Sequence, residues 1–90
     1  MQILVCDDNP RIAQNLAALI KQQIASQGVS VTISIIDNTK DLHYLDFNNF
    51  DLAFLDIDMG ECNGIDLARK LHAVRPDAVI VFVTNYIEYA

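Results

Sequence analysis

Two short apolar runs in this chain end abruptly in acid. Ile3-Leu4-Val5-Cys6 leads straight into Asp7-Asp8, and Leu52-Ala53-Phe54-Leu55 leads into Asp56-Ile57-Asp58. A run this short and unbroken reads as a strand buried on both faces, which is the mark of a parallel sheet. Parallel strands need long crossovers, so the intervening segments have to supply helices. Asn9-Pro10 has the form of an N-cap followed by proline at the first helical position. Ile12, Leu16, Leu19, Ile20 and Ile24 then recur on one helical face, and Gly28 stops the pattern.

Residues 29–35 alternate apolar and polar with period two, as a half-exposed edge strand does. A short helix is expected next, capped near Asn38 or Thr39 and carrying Leu42 and Leu45. Residues 52–55 are the third strand. The loop 58–64 opens a helix with Ile65, Ala68 and Leu71 on one side, which ends at Arg75-Pro76 because proline disfavours helix at the residue before it. Residues 78–83 are wholly apolar and fit an inner strand, closed by Thr84 and Asn85. The βαβαβαβ order with right-handed crossovers predicts an α/β fold, a three-layer doubly wound parallel sheet.

Composition narrows the function. An apolar share of 52% with 20% charged residues describes one globular domain of 90 residues. Six basic residues against twelve acidic ones give a net charge of -6, and the basic ones are scattered. That argues against nucleic-acid binding by this segment, which would need a basic patch. No apolar run approaches the ~20 residues of a membrane span, and no signal sequence opens the chain. A cytoplasmic location is expected. Cys6 and Cys62 lack metal-type spacing and read as passive thiols. His43 and His72 fall in helical segments without ligand partners and read as surface residues.

Ligands of open parallel sheets bind at the carboxyl ends of the strands. If the first and third strands are neighbours, Asp7, Asp8 and Asp56 converge there. Crowded carboxylates repel one another unless a cation joins them, and a hard divalent ion serving phosphate chemistry suits an all-oxygen set.

These residues bring a family into view. Asp7-Asp8 after the first strand, Asp56 after the third, Gly64 eight positions later and Thr84 after the fourth resemble the receiver domain of two-component response regulators. Leu55-Asp56-Ile57-Asp58-Met59 with Asn63-Gly64-Ile65-Asp66-Leu67-Ala68 looks most like receivers of LytTR-type regulators, in which a DNA-binding domain follows. The resemblance implies a flavodoxin-like receiver fold over residues 1–90, truncated after the fourth strand, with the final helix-strand-helix part and the effector absent. It implies that Asp56 accepts a phosphoryl group from a sensor histidine kinase. It also implies that Asp7, Asp8 and Asp56, with the backbone carbonyl of Asp58, hold Mg2+. Thr84 would bond the phosphoryl oxygens. Such a domain is a regulator, not an enzyme, and its output would be transcription.

Two departures bear on this. Gly60 stands where many receivers have proline, and no lysine follows a fifth strand, since Lys21, Lys40 and Lys70 follow none. Modification of Asp56 is therefore expected to be poor or to move little. Two other readings remain open: an inactive receiver-like module for self-association, and a fragment of a haloacid-dehalogenase-type phosphatase, whose nucleophile motif Asp56-Ile57-Asp58 also resembles. A homodimer or higher oligomer is expected, burying the open edge of the strand at 78–83 or the neighbouring face.

Overall fold

Strand β1 (Gln2–Cys6) is buried from Ile3 onward, as an unbroken apolar run must be. The computed structural model describes residues 1–38, 40, 41, 45–59 and 62–83, with the Cys62 side chain outside that description. Helix α1 (Pro10–Ala25) follows, then β2 (Thr32–Ile36), a 3-10 turn (Phe47–Asn49) and β3 (Leu52–Asp56). A short antiparallel hairpin of β4 (Asp58–Met59) and β5 (Cys62–Asn63) leads into α2 (Gly64–Val74), and β6 (Val79–Val83) comes last. The main sheet is parallel throughout, in the order β2-β1-β3-β6. This is the α/β layer structure expected.

Each helix builds a core on its own face of the sheet. Ala13, Ala17 and Ile20 of α1 pack on Ile3 and Val5, while Leu67, Ala68 and Leu71 of α2 pack on Leu4, Cys6, Ala53 and Leu55. Successive residues of β1 thus serve opposite cores, as the pleat demands. Asn9 caps α1 by accepting the Arg11 and Ile12 N–H groups, and Gly28 turns the chain afterwards with a φ of 76°.

Several expectations are corrected. Leu19 is 59% exposed and Ile65 is 40% exposed, so neither lies on its helix's buried face. Ala13 and Ala17 set the contact line of α1, because small side chains let the helix sit close on β1. Leu67 takes the corresponding place on α2. Strand β2 begins at Thr32, not at residue 29, because its first ladder partner is Gln2 and β1 extends no further back. The loop expected over 58–64 contains the β4–β5 hairpin.

The helix expected after β2 falls largely outside the described residues, as do Thr39, Leu42 and His43. Asn38 Oδ1 accepts the Asp41 N–H at 3.0 Å, and Leu45, expected on that helix, lies in no helix and packs against the α2 core. Among the described residues β6 has β3 as its one partner strand, and Val79, Val81 and Phe82 are exposed. The inner position expected for it turns on residues beyond 83, which lie outside the described ones.

The amino ends of the strands are fastened by one ionic knot. The Arg75 guanidinium meets Asp51 and Asp77, each at 3.1 Å, and donates to the Asn48 carbonyl at 3.2 Å. Asp51 in turn accepts the Gln2 N–H at 2.8 Å.

Candidate functional site

The opposite ends of β1 and β3 carry the acids. Asp7 continues β1 by donating its N–H to the Ile36 carbonyl at 3.1 Å, and it is only 2% exposed. Its Oδ1 accepts the Asn9 N–H at 2.9 Å, which turns the chain into the α1 cap. Asp8, on that turn, is exposed. Asp56 closes β3 and is 5% exposed. The register of β1 on β3, Cys6 opposite Leu55, makes Asp7 and Asp56 neighbours. Asp7, Asp8 and Asp56 each offer a carboxylate oxygen within 4.8 Å of the others.

The electrostatics of this cluster are unfavourable without a cation. Burial raises the Asp56 carboxyl above its ordinary value, and the negative charge of Asp7 adds to the rise, with smaller contributions from Asp8 and Asp58. The Asp58 N–H, 3.4 Å from Asp56 Oδ1, opposes them by more than Asp8 or the Asp58 charge adds, but by less than burial or Asp7. Among the described residues no Lys or Arg pairs with Asp7, Asp8 or Asp56. The donor set is all oxygen and compact, which fits a small hard cation such as Mg2+ or Ca2+. A buried carboxylate beside such an ion is also a competent nucleophile for phosphorus.

Asp58 is not among the converging carboxylates. It sits in β4 opposite Asn63, with its side chain exposed. Thr84 lies outside the described residues; Val83, just before it, is the register partner of Asp56. Cys6 is buried and His72 is exposed on α2.

Gly64 has a role that its place in the motif does not explain. It is the first residue of α2, and its N–H donates to the Ile57 carbonyl at 2.9 Å. A Cβ there would overlap the carbonyl oxygen of Asp56 and stand 2.9 Å from the Asp56 carbonyl carbon. The helix start thus rests directly on the main chain of the buried acid. The sequence signal was the glycine just after the Asn63 cap, where a side chain would ordinarily be tolerated.

The family model described as response regulator receiver domain matches residues 3–90. The sensory transduction protein LytR of Staphylococcus epidermidis is 32% identical over the whole chain, which covers 34% of that protein. LytT of Enterococcus faecalis is also 32% identical, with 36% of it covered. The chain therefore spans about a third of the length of these curated relatives. Among solved structures, the response regulator TrrA of Thermotoga maritima, in complex with Mg(2+)-BeF, superposes with a TM-score of 0.66 at 31% identity, over 98% of this chain and 72% of that one. A response regulator of Burkholderia pseudomallei, with a phosphorylated aspartic acid and a calcium ion, gives 0.62 at 25% identity over 94% of this chain and 47% of that one. No helix among the described residues is long and apolar enough to cross a membrane.

Proposed function

The chain belongs to the response regulator receiver domain family, and from that premise we propose that Asp56 is its phospho-acceptor, supplied by a sensor histidine kinase. Receiver domains are regulatory signalling domains with a phosphorylatable aspartate. The observation that carries the assignment is a buried Asp56 at the carboxyl end of β3 with Asp7 and Asp8 within 4.8 Å.

In the transfer, an Asp56 carboxylate oxygen forms a bond to phosphorus as the bond from phosphorus to the kinase's histidine nitrogen breaks, and the electron pair leaves with that nitrogen. The burial that raises the Asp56 carboxyl also excludes water from the nucleophile. Asp7, Asp8 and Asp56 itself, with the backbone carbonyl of Asp58, would hold Mg2+. When bound, that ion supplies positive charge to offset the phosphoryl oxygens. Thr84, after β6, would donate to one of those oxygens.

The relatives named for sensory transduction are about three times as long, as is the transcriptional regulatory protein LytR of Staphylococcus aureus, 32% identical to this chain. From those names we carry over a role in transcriptional signalling, and the proposal adds a cytoplasmic location and a DNA-binding domain outside this segment. The proposal also includes association of the chain with itself. Intact mass after incubation with acetyl phosphate and Mg2+ tests the acceptor. One phosphoryl adduct at low occupancy, as the missing lysine leads one to expect, absent in Asp56→Asn and without Mg2+, is the expected result. An adduct that persists in Asp56→Asn would place the acceptor elsewhere.

A further inference from the structure

Strand β2 is an edge of the sheet whose free side fits a second copy of itself. Thr32 donates its N–H to the Met1 carbonyl, and the Ile36 carbonyl accepts from Asp7, so the even-numbered residues of β2 turn their main chain toward β1. Alternation turns the N–H and C=O groups of Val31, Ile33, Ile35 and Asp37 outward. Among the described residues no strand pairs on that side. The stretch Thr32–Ile36 contains no charge or proline to guard the edge. On the α1 face, Ala17, Ala18 and Lys21 together with Val31, Ile33 and Ile35 line a groove of about 240 Å³.

We propose that this edge pairs antiparallel with β2 of a second copy about a two-fold axis through Ser34, joining the two sheets into one. The inference rests on the self-association put forward above and gives it a surface. In this register Ile33 faces the partner's Ile35, and Val31 faces the partner's Asp37. Every outward-turned residue then meets another, as the hydrogen-bonded pairs of an antiparallel ladder require. The isoleucine pairs close the two grooves into one apolar seam on the α1 face.

Charge selects this register over its neighbours. Helix α1 runs back against the strand direction, so Lys21, near its end, stands over the start of β2, beside Val31. The partner's Asp37 arrives at that point, and the two-fold repeats the pair. Lys21 is one of only six basic residues in a chain of net charge -6, so an acidic chain meets itself here where its cation lies. A shift by two residues keeps the ladder but moves the partner's Asp37 away from Val31.

Sedimentation of the 90-residue chain across a dilution series tests this. A five-residue ladder is a small interface, so a dissociation constant on the order of 10–100 µM is expected. Ile35 is 38% exposed, and Ile35→Lys should give a folded monomer by circular dichroism. Lys21→Glu and Asp37→Lys should each raise the dissociation constant about tenfold, and the double variant should restore it. If Ile35→Lys does not fold, the charge exchange alone decides. A parent that stays monomeric at high micromolar concentration overturns both the surface and self-association. A dimer insensitive to these substitutions leaves self-association standing and overturns the β2 surface.

Discussion

Replacing Gly64 by alanine isolates the contact between α2 and the acceptor's main chain. The added Cβ would overlap the Asp56 carbonyl oxygen and stand 3.2 Å from the Ile57 Cα. All of these atoms are backbone, so no side chain can rotate out of the way; either the start of α2 or the end of β3 must move. Overpacking of this kind costs about 3 kcal/mol at the upper end of its range, and alanine's better helix propensity returns at most about 1, leaving a net loss of about 2 kcal/mol. In a domain of this size that lowers the melting temperature by about 10 °C. Gly28→Ala is the matched control. Nothing lies within 4 Å of its Cβ, yet its φ of +76° costs a non-glycine residue about 1 kcal/mol. Urea unfolding gives both stabilities, and Mg2+ titration separates their sites of action. Gly64→Ala should weaken the ion's binding by displacing Asp56, whereas Gly28→Ala should leave it unchanged. A Gly64→Ala chain with parental stability and parental Mg2+ affinity would refute the steric argument.

Three further outcomes are expected. Magnesium at ten times its dissociation constant should stabilise the chain by about 1.4 kcal/mol, and Asp8→Ala should remove that response; equal responses in thermal melts reject the pocket. Because the Asp56 carboxyl is raised, its ionisation costs stability as pH climbs from the ordinary value of 3.8 through the raised one. Asp56→Asn should thus melt higher than the parent at neutral pH without divalent ions, the gap closing below pH 3.8, and a lower melting point at neutral pH would contradict this. The sign reverses for Asp51 and Asp77. Asp51 is held below 3.8 by the Gln2 N–H and then Arg75, and Asp77 is held below it by Arg75. Their contribution is present above that value and lost as pH falls through the lowered ones. Arg75→Ala should therefore destabilise most at neutral pH and least in acid, and a pH-independent loss would show that the arginine acts by packing alone.

What could be read from the sequence was whatever local pattern determines. Strands β1 and β3 are buried on both faces, so their composition alone declares them, and the acids that end them mark the site. Asn9-Pro10 likewise fixes the start of α1 through short-range hydrogen bonding. The misread positions depend on distant partners. Leu19 and Ile65 match helical spacing, yet the small Ala13 and Ala17, and Gly64 beside Asp56, decide how closely each helix approaches the sheet. The start of β2 is set by the length of β1, some thirty residues away, as the Gln2–Thr32 pairing shows. A two-residue ladder such as β4–β5 is too short to leave any periodicity. Gly64 was visible as a motif residue, but its reason for being glycine is a carbonyl eight positions back.

The knot at Arg75 gives the sheet two unlike poles. Carboxylates gather at both. At the amino pole the chain carries its own cation, covalently attached and shared between Asp51 and Asp77. At the carboxyl pole no Lys or Arg among the described residues pairs with Asp7, Asp8 or Asp56, whose carboxylates converge on one point. One end therefore has a cation without drawing on the medium, whereas the other is in equilibrium with it. Binding of an ion at the carboxyl pole would relieve repulsion only there, so the stability it adds is confined to the end where phosphate chemistry is proposed.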